Sequence, residues 1–158
     1  MLFRSIVDLV STGSTLKANN LVSCWLEHRV SYGETDAMGV VYYANYLHFF
    51  ERGRSELIRN LGLGYSAVEE QGIFLPVREA SCRYLAPARY DEVIHIHTAL
   101  SGRTRASLSF VYEITRPDRR TVLTRGFTQH AVVNAQGRPV RIPEWFAALL
   151  VADRKSVV

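Results

Sequence analysis

The stretch Arg29-Val-Ser-Tyr-Gly-Glu-Thr-Asp36-Ala-Met-Gly39-Val-Val-Tyr-Tyr43-Ala-Asn-Tyr46 decides the fold, because it joins a polar loop to the start of a long helical pattern. The loop carries a carboxylate at Asp36 and a glycine at Gly39. A helix N-terminus exposes unpaired N–H groups and the positive end of the helix dipole, so it can stabilise an oxyanion or a phosphate. An acid beside such a terminus suggests acyl chemistry.

The helical pattern after this loop has one apolar stripe. Apolar side chains recur with the spacing of a helix that buries one face, at Tyr46, Leu47, Phe49, Phe50, Leu57, Ile58 and Leu61. Gly53 lies within the stripe, where its best use is to let another backbone approach closely. Gly62 and Gly64 follow the pattern and can supply the left-handed conformation that ends a helix. We therefore predict one long central helix.

The rest of the chain alternates between apolar and polar residues, which is typical of strands. Ala106, Leu108, Phe110, Tyr112 and Ile114 are predicted to share one face, and Leu123, Phe127, Ala131 and Val133 one face of the next strand. The segment 74–84 begins near Pro76, which indicates an edge or bulged strand. With a first strand at 25–31 and turns at Pro117-Asp118 and Gln136-Gly137, about five strands form. Hairpins make the sheet antiparallel, and one helix on its face gives an α+β fold.

Two separated groups of residues carry a resemblance to a known family. The first contains Arg29-Val30, Thr35-Asp36, Gly39-Val40-Val41-Tyr42-Tyr43 and Asn45-Tyr46, and the second Arg83-Tyr84-Leu85-Ala86-Pro87-Ala88 and Tyr90-Asp91-Glu92-Val93. They resemble the signature of hotdog-fold acyl-CoA thioesterases of the 4-hydroxybenzoyl-CoA thioesterase type. This resemblance implies a hotdog domain at residues 22–150, between an N-terminal tail (1–21) of unreadable role and a C-terminal tail (151–158).

The resemblance also implies roles for individual residues. Asp36 is the implied catalytic carboxylate, either as nucleophile or as general base, and the Tyr43 backbone N–H is the implied oxyanion donor. The implied contacts to substrate and coenzyme A are Gly39, Val40, His48, Arg103 and Arg105. Each residue also has a structural reading: Asp is common in turns, a helix-surface histidine needs no ligand, and hairpin arginines are often only solvated.

Two further groups of polar residues have open roles. Glu34 either orients the loop that carries Asp36 or is simply a solvated loop residue. His95 and His97 lie two residues apart on one strand face and could bind a metal, but the sequence supplies no third ligand beside them. We therefore expect cross-strand packing from this histidine pair and no metal site.

Composition sets the remaining expectations. The 158 residues carry a net charge of +4, and Cys24 and Cys82 stand outside any metal or disulfide spacing. No apolar run reaches the ~20 residues of a membrane span, no signal peptide is recognisable, and aromatic residues follow core spacing instead of alternating with basic ones. We expect one cytoplasmic domain without nucleic-acid partner or cofactor, coenzyme A being part of the substrate. By resemblance it forms a homo-oligomer, a dimer or a tetramer, with shared sites.

The leading hypothesis is therefore an acyl-CoA thioesterase. The alternative is a non-catalytic acyl-CoA-binding or regulatory hotdog protein, which would need no carboxylate at Asp36. A hotdog dehydratase ranks third, because it would want a histidine in the active loop and that loop has none. Aromatic and short or medium aliphatic acyl groups all stay open as substrates.

Overall fold

The computed structural model describes residues 22–151, which form one sheet, three α-helices and a short 3-10 turn. In chain order the elements are β1 (Ser23–Arg29), the 3-10 turn (Tyr32–Glu34), α1 (Asn45–Asn60), α2 (Tyr65–Glu70), β2 (Val77–Tyr84), β3 (Val93–Arg103), β4 (Ser107–Thr115), β5 (Val122–Ala131) and α3 (Glu144–Leu149). The predicted N-terminal tail, and the C-terminal tail beyond residue 151, lie outside the described residues.

The five strands form an antiparallel sheet in the order β1-β3-β4-β5-β2. Short connections join β3, β4 and β5, so these consecutive strands are neighbours. β2 crosses to the far edge beside β5, and its register shifts between Val77 and Glu79, directly after Pro76. The expectation of an edge or bulged strand is confirmed, as is an α+β fold with about five antiparallel strands and one long helix.

Helix α1 packs its apolar stripe on one face of the sheet. Phe49, Phe50, Leu57 and Ile58 are all at most 1% exposed. The Phe50 ring stacks on Tyr112 of β4 with 4.3 Å between ring centroids. Burial of each such side chain stabilises the fold by about 1.5–3 kcal/mol relative to exposure. This packing fixes α1, and with it the preceding loop, relative to the strands.

Two glycines allow the close approach of helix and sheet. A Cβ atom on Gly53 would lie 2.2 Å from Thr98 Oγ1 of β3, and one on Gly126 of β5 would lie 2.2 Å from the Phe50 ring. Both distances are far below van der Waals contact. The predicted use of Gly53 is therefore confirmed, and Gly126 plays the matching role on the sheet.

The sheet has an inner face toward α1 and an outer face away from it. Leu108, Phe110, Tyr112 and Ile114 belong to the core beneath α1, as their alternation predicts. The prediction that Leu123 and Phe127 share a face is wrong. Leu123 belongs to the inner core, whereas Phe127 packs with Ala99 and Val111 on the outer face. The reason is a register shift beside Leu123, because Ile114 pairs with Thr124 but Thr115 pairs with Val122.

Candidate active site

The loop between the 3-10 turn and α1 folds into a tight hairpin around Asp36. The Asp36 N–H donates to the Val40 carbonyl oxygen at 2.9 Å, and the Gly39 N–H donates to the Asp36 carbonyl oxygen at 3.0 Å. Gly39 has a φ of +76°, a conformation that closes such a hairpin and that favours glycine. Residues 36–40 are therefore held by their own backbone hydrogen bonds.

The carboxylate of Asp36 is half-buried in this hairpin. Its Oδ1 accepts a hydrogen bond from the Met38 N–H at 2.8 Å, which fixes the orientation of the side chain. Its Oδ2 has no hydrogen-bond donor among residues 22–151. One oxygen atom is thus anchored while the other can take a proton or attack an electrophile.

Tyr43 lies just before the helix, which begins at Asn45. Its N–H meets no hydrogen-bond acceptor in the part of the chain that the structure describes. Its carbonyl oxygen is anchored, because the Tyr84 hydroxyl donates to it at 2.9 Å. An unpaired N–H at the N-terminus of a 16-residue helix suits a developing oxyanion. The candidate donor is therefore available in the folded chain.

Glu34 connects the two candidate catalytic groups. The Glu34 carbonyl oxygen accepts hydrogen bonds from the Tyr42 N–H at 2.9 Å and from Asn45 Nδ2 at 2.8 Å. Its carboxylate Oε1 accepts from the Ser31 N–H at 2.7 Å. Burial favours the neutral acid, but hydrogen bonds from Ser31 and His28 outweigh it and lower the pKa of Glu34. The orienting role considered for Glu34 fits these contacts.

His28 and Arg52 form a second layer behind Glu34. His28 Nε2 lies 2.8 Å from Glu34 Oε1, and Arg52 NH1 lies 2.6 Å from His28 Nδ1. The His28 ring also packs against Phe49, with 5.0 Å between ring centroids. Sequence reasoning missed both residues. The alternation of β1, which turns His28 toward the same side as Leu26, is the one signal that could have indicated it.

Exposed tyrosines surround the hairpin. Tyr43 contacts Tyr42 and Tyr84 at centroid distances of 4.8 and 6.4 Å, and Tyr32 contacts Tyr90 edge-on at 5.8 Å. All five side chains are at least 44% exposed. Large aromatic surfaces with polar tips are frequent at binding sites. The hairpin thus lies within an aromatic surface that could contact an acyl group.

The other predicted binding residues lie at different distances from Asp36. Gly39 and Val40 belong to the same hairpin, and His48 is exposed on the first turn of α1. Arg103 ends β3, the strand that starts at Val93 near the hairpin. At about 3.3 Å per residue the two ends of β3 are roughly 30 Å apart. Arg103 and Arg105 are therefore not brought to Asp36 within one chain, and their contact to coenzyme A stays a prediction.

The histidine pair lies on the outer face. His97 stacks on Trp25 with 4.0 Å between ring centroids, and the Arg119 guanidinium lies 4.5 Å from the Trp25 ring. Burial first, and Arg119 second, lower the pKa of His97 to about 4. Residues 22–151 contain no group of three or more His, Cys, Asp or Glu side chains that could hold a metal ion. His97 is a packing residue.

Comparison with known proteins adds independent findings. Residues 30–150 match the family described as the thioesterase-like superfamily. An acyl-CoA thioesterase of Haemophilus influenzae is 34% identical over 118 residues, which cover 73% of this chain and 85% of that relative.

Solved structures agree with these sequence matches. DHNA-CoA thioesterase from Staphylococcus aureus is 30% identical and superposes with a TM-score of 0.74 over 80% of this chain and 85% of that one. A 4-hydroxybenzoyl-CoA thioesterase complexed with 4-hydroxybenzoyl-CoA superposes with a TM-score of 0.73 over 82% of this chain and 99% of that one. The latter is 22% identical, so it speaks for the fold alone. Among residues 22–151, no helix is long and apolar enough to cross a membrane.

Proposed function

We propose that this chain, which belongs to the thioesterase-like superfamily, hydrolyses acyl-CoA thioesters with Asp36 as its catalytic carboxylate and the Tyr43 N–H as its oxyanion donor. The predicted family, the hotdog fold and the thioester hydrolase class are confirmed by the family match and by the relatives of 30% identity or more. The residue roles are our proposal.

One observation carries this proposal: a single short segment holds an anchored carboxylate and an unpaired backbone donor. Asp36 Oδ1 is fixed by the Met38 N–H, and Oδ2 has no donor among the described residues. The Tyr43 N–H has no acceptor there either. A helix N-terminus leaves such an N–H without an intrahelical partner and favours negative charge, so its position supports a role with an oxyanion.

Two routes of hydrolysis are compatible with this arrangement. As general base, Asp36 takes a proton from water while the water oxygen attacks the thioester carbonyl carbon. As nucleophile, its carboxylate oxygen attacks that carbon, the CoA sulfur leaves, and water then hydrolyses the resulting mixed anhydride to release the acid and restore the Asp36 carboxylate. In both routes this attack turns the carbonyl oxygen into an oxyanion, which accepts a hydrogen bond from the Tyr43 N–H. The C–S bond then breaks, and the CoA sulfur leaves as a thiolate, which is a fair leaving group because ordinary thiol pKa values lie near 8.5.

The contact to coenzyme A is proposed to involve a second copy of the chain. Arg103 and Arg105 lie at the end of β3 that is far from Asp36, so they would serve a site completed by a neighbouring subunit. The exposed edge strand β2 leaves one row of backbone groups without a strand partner among residues 22–151, which supports pairing between copies. We therefore propose a homo-oligomer, a dimer or a tetramer, acting in the cytoplasm without a cofactor.

The acyl group is the least constrained part of the proposal. The relative from Staphylococcus aureus is a DHNA-CoA thioesterase, and the hairpin lies within a surface of exposed tyrosines. These observations favour an aromatic acyl-CoA, whereas short or medium aliphatic chains are the alternative.

Thiol release from a panel of aromatic and aliphatic acyl-CoA thioesters tests the proposal. We expect wild type to turn over at least one thioester, and the Asp36→Asn variant, with an unchanged thermal midpoint, to turn over none at a comparable rate. Binding of the panel without turnover by wild type would instead support a non-catalytic acyl-CoA-binding protein.

A further inference from the structure

Arg52, His28 and Glu34, which lie behind the hairpin carrying Asp36, form a chain of hydrogen bonds in which each donor and acceptor is fixed. A guanidinium group can only donate, so Arg52 donates to His28 Nδ1, at 2.6 Å. His28 Nδ1 therefore bears no proton, and the imidazole proton is on Nε2, which donates to the Glu34 carboxylate at 2.8 Å. The relay Arg52–His28–Glu34 thus contains a neutral imidazole in a single tautomer between a cation and an anion.

This relay joins three separate parts of the chain. His28 belongs to β1, Glu34 ends the 3-10 turn and Arg52 lies in the second turn of α1. The His28 and Glu34 side chains are only 15% and 19% exposed, so water competes weakly for their hydrogen bonds. The hairpin that carries Asp36 is therefore attached both to the sheet and to the central helix.

Both proposed catalytic groups depend on the position of Glu34. Asp36 follows Glu34 by two residues. On the other side of the hairpin, the Glu34 carbonyl oxygen holds the Tyr42 N–H at 2.9 Å, directly before the Tyr43 donor. A shift of Glu34 would move the carboxylate and the oxyanion donor together. Displacements of about 1 Å at a catalytic group can lower rates by as much as ~100-fold.

We infer that His28 and Arg52 are positioning residues for the hydrolysis proposed above, acting through Glu34 on Asp36 and the Tyr43 N–H. Neither residue needs to touch the substrate. The inference rests on the proposed function, but the structural part of it can be tested without turnover.

The outer face supplies a matched control. Arg119 Nε donates to His95 Nδ1 at 3.1 Å, and His95 Nε2 lies 3.8 Å from Glu27 Oε2. The residue types and their order equal those of the relay, but the Glu27 side chain is 70% exposed and none of the three residues has a hydrogen bond to the hairpin. A histidine replacement there removes similar atoms without touching the active loop.

The experiment compares four variants with wild type. His28→Phe removes both ring nitrogens and keeps a ring against Phe49. His28→Gln keeps one donor and one acceptor, and Arg52→Met removes the donor at a half-buried helix position with a good helix former. His95→Phe is the control. For each protein, kcat and KM are measured with the best thioester, together with the thermal midpoint.

We expect His28→Phe and Arg52→Met to lower kcat by about ten-fold or more while KM changes by less than about two-fold, because misplacement acts on the transition state. His28→Gln should recover most of the loss, and His95→Phe should retain wild-type kinetics. Wild-type kcat in His28→Phe and Arg52→Met would overturn the inference. So would equal losses in His28→Phe and His95→Phe.

Two measurements separate this inference from the proposed function. Nitrogen NMR shifts of the imidazole should show the Nε2–H tautomer for His28, and the Nδ1–H tautomer would contradict the relay. Hydrogen exchange at the Asp36 and Tyr42 amides should accelerate in His28→Phe but not in His95→Phe. Unchanged exchange would overturn the inference, even if wild type hydrolysed no thioester and the proposed function itself had failed.

Discussion

Two similar groups of side chains lie on opposite faces of the sheet, and each has one member on strand β1. On the inner side, Arg52, His28 and Glu34 form a short, largely buried relay that ends at the hairpin carrying Asp36. On the outer side, Arg119, His95 and Glu27 repeat the order with longer distances and an exposed carboxylate. The comparison teaches that residue types alone do not make a site. The inner group differs because its last member holds the backbone on which Asp36 and Tyr43 are carried.

The largest effect on kcat that we expect comes from removing one backbone N–H group on the inner side. Tyr43 is the second residue of a turn closed by the Asn45 N–H donating to the Tyr42 carbonyl oxygen, a position where proline is favoured. Tyr43→Pro deletes the proposed oxyanion donor without removing a backbone hydrogen bond of the described fold. We expect kcat for thiol release to fall by about 100- to 1,000-fold.

Tyr43→Ala is the control for that variant, since it loses the same ring but keeps the N–H. It should retain far more activity than Tyr43→Pro, while both keep a similar thermal midpoint. Equal activity in the two variants would remove Tyr43 from the proposed mechanism.

A smaller effect, on stability, tests how tightly the inner face is packed. A Cβ on Gly126 would lie 2.2 Å from the fully buried Phe50 ring, whereas one on Gly102 of β3 meets nothing within 4 Å. Gly126→Ala should therefore lower the free energy of unfolding by about 1–3 kcal/mol. Gly102→Ala should change it by less than about 0.5 kcal/mol. Urea unfolding of both variants measures the difference, and equal values would contradict the close helix-sheet contact.

The last effect depends on pH and involves one histidine from each face of the sheet. Burial is the main cause that lowers the pKa of outer His97 and of inner His130 to about 4. Between pH 6.5 and 4 the unfolded chain binds protons at these positions and the folded chain does not. The free energy of unfolding should therefore fall as pH decreases through this window, by at most about 1.4 kcal/mol per pH unit for each histidine.

His97→Phe keeps a ring on Trp25 and removes one titrating group, so it should reduce this slope. Denaturant unfolding at several pH values between 6.5 and 4 measures it. Carboxylates with lowered pKa values, such as those of Glu34 and Asp118, also lose stabilisation as pH falls, but they are present in both proteins, so the difference in slope between wild type and His97→Phe reports the histidine. An unchanged slope in His97→Phe would show that His97 is not held neutral by the fold.

Much of the fold was readable from local patterns. Period-two alternation predicted the inner residues of β4, and the helical stripe predicted the close contact at Gly53 and most of the buried side of α1, except that Leu47 is exposed. These features depend on neighbours in sequence or on one repeating period. The face of the sheet on which Leu123 lies could not be predicted from the sequence, because the register shift that reverses it depends on pairing with β4.

The site was only partly predictable for the same reason. The motif around Asp36 and Tyr43 is continuous in the sequence and carries the family resemblance. The relay is not continuous in the sequence, because His28 and Arg52 are separated by 24 residues and meet only when α1 packs on β1. The separation of Arg103 from Asp36 likewise follows from the length of β3, which no motif encodes.

The most direct test of the account compares one carboxylate from each face. On the acyl-CoA that wild type hydrolyses fastest, Asp36→Asn should lower kcat/KM for thiol release by about 100-fold or more, because the base or nucleophile is lost. Glu27→Gln, on the outer face, should leave kcat/KM within about two-fold of wild type. If Asp36→Asn retained wild-type kcat/KM, the hairpin would not be the catalytic site, and the account would be wrong.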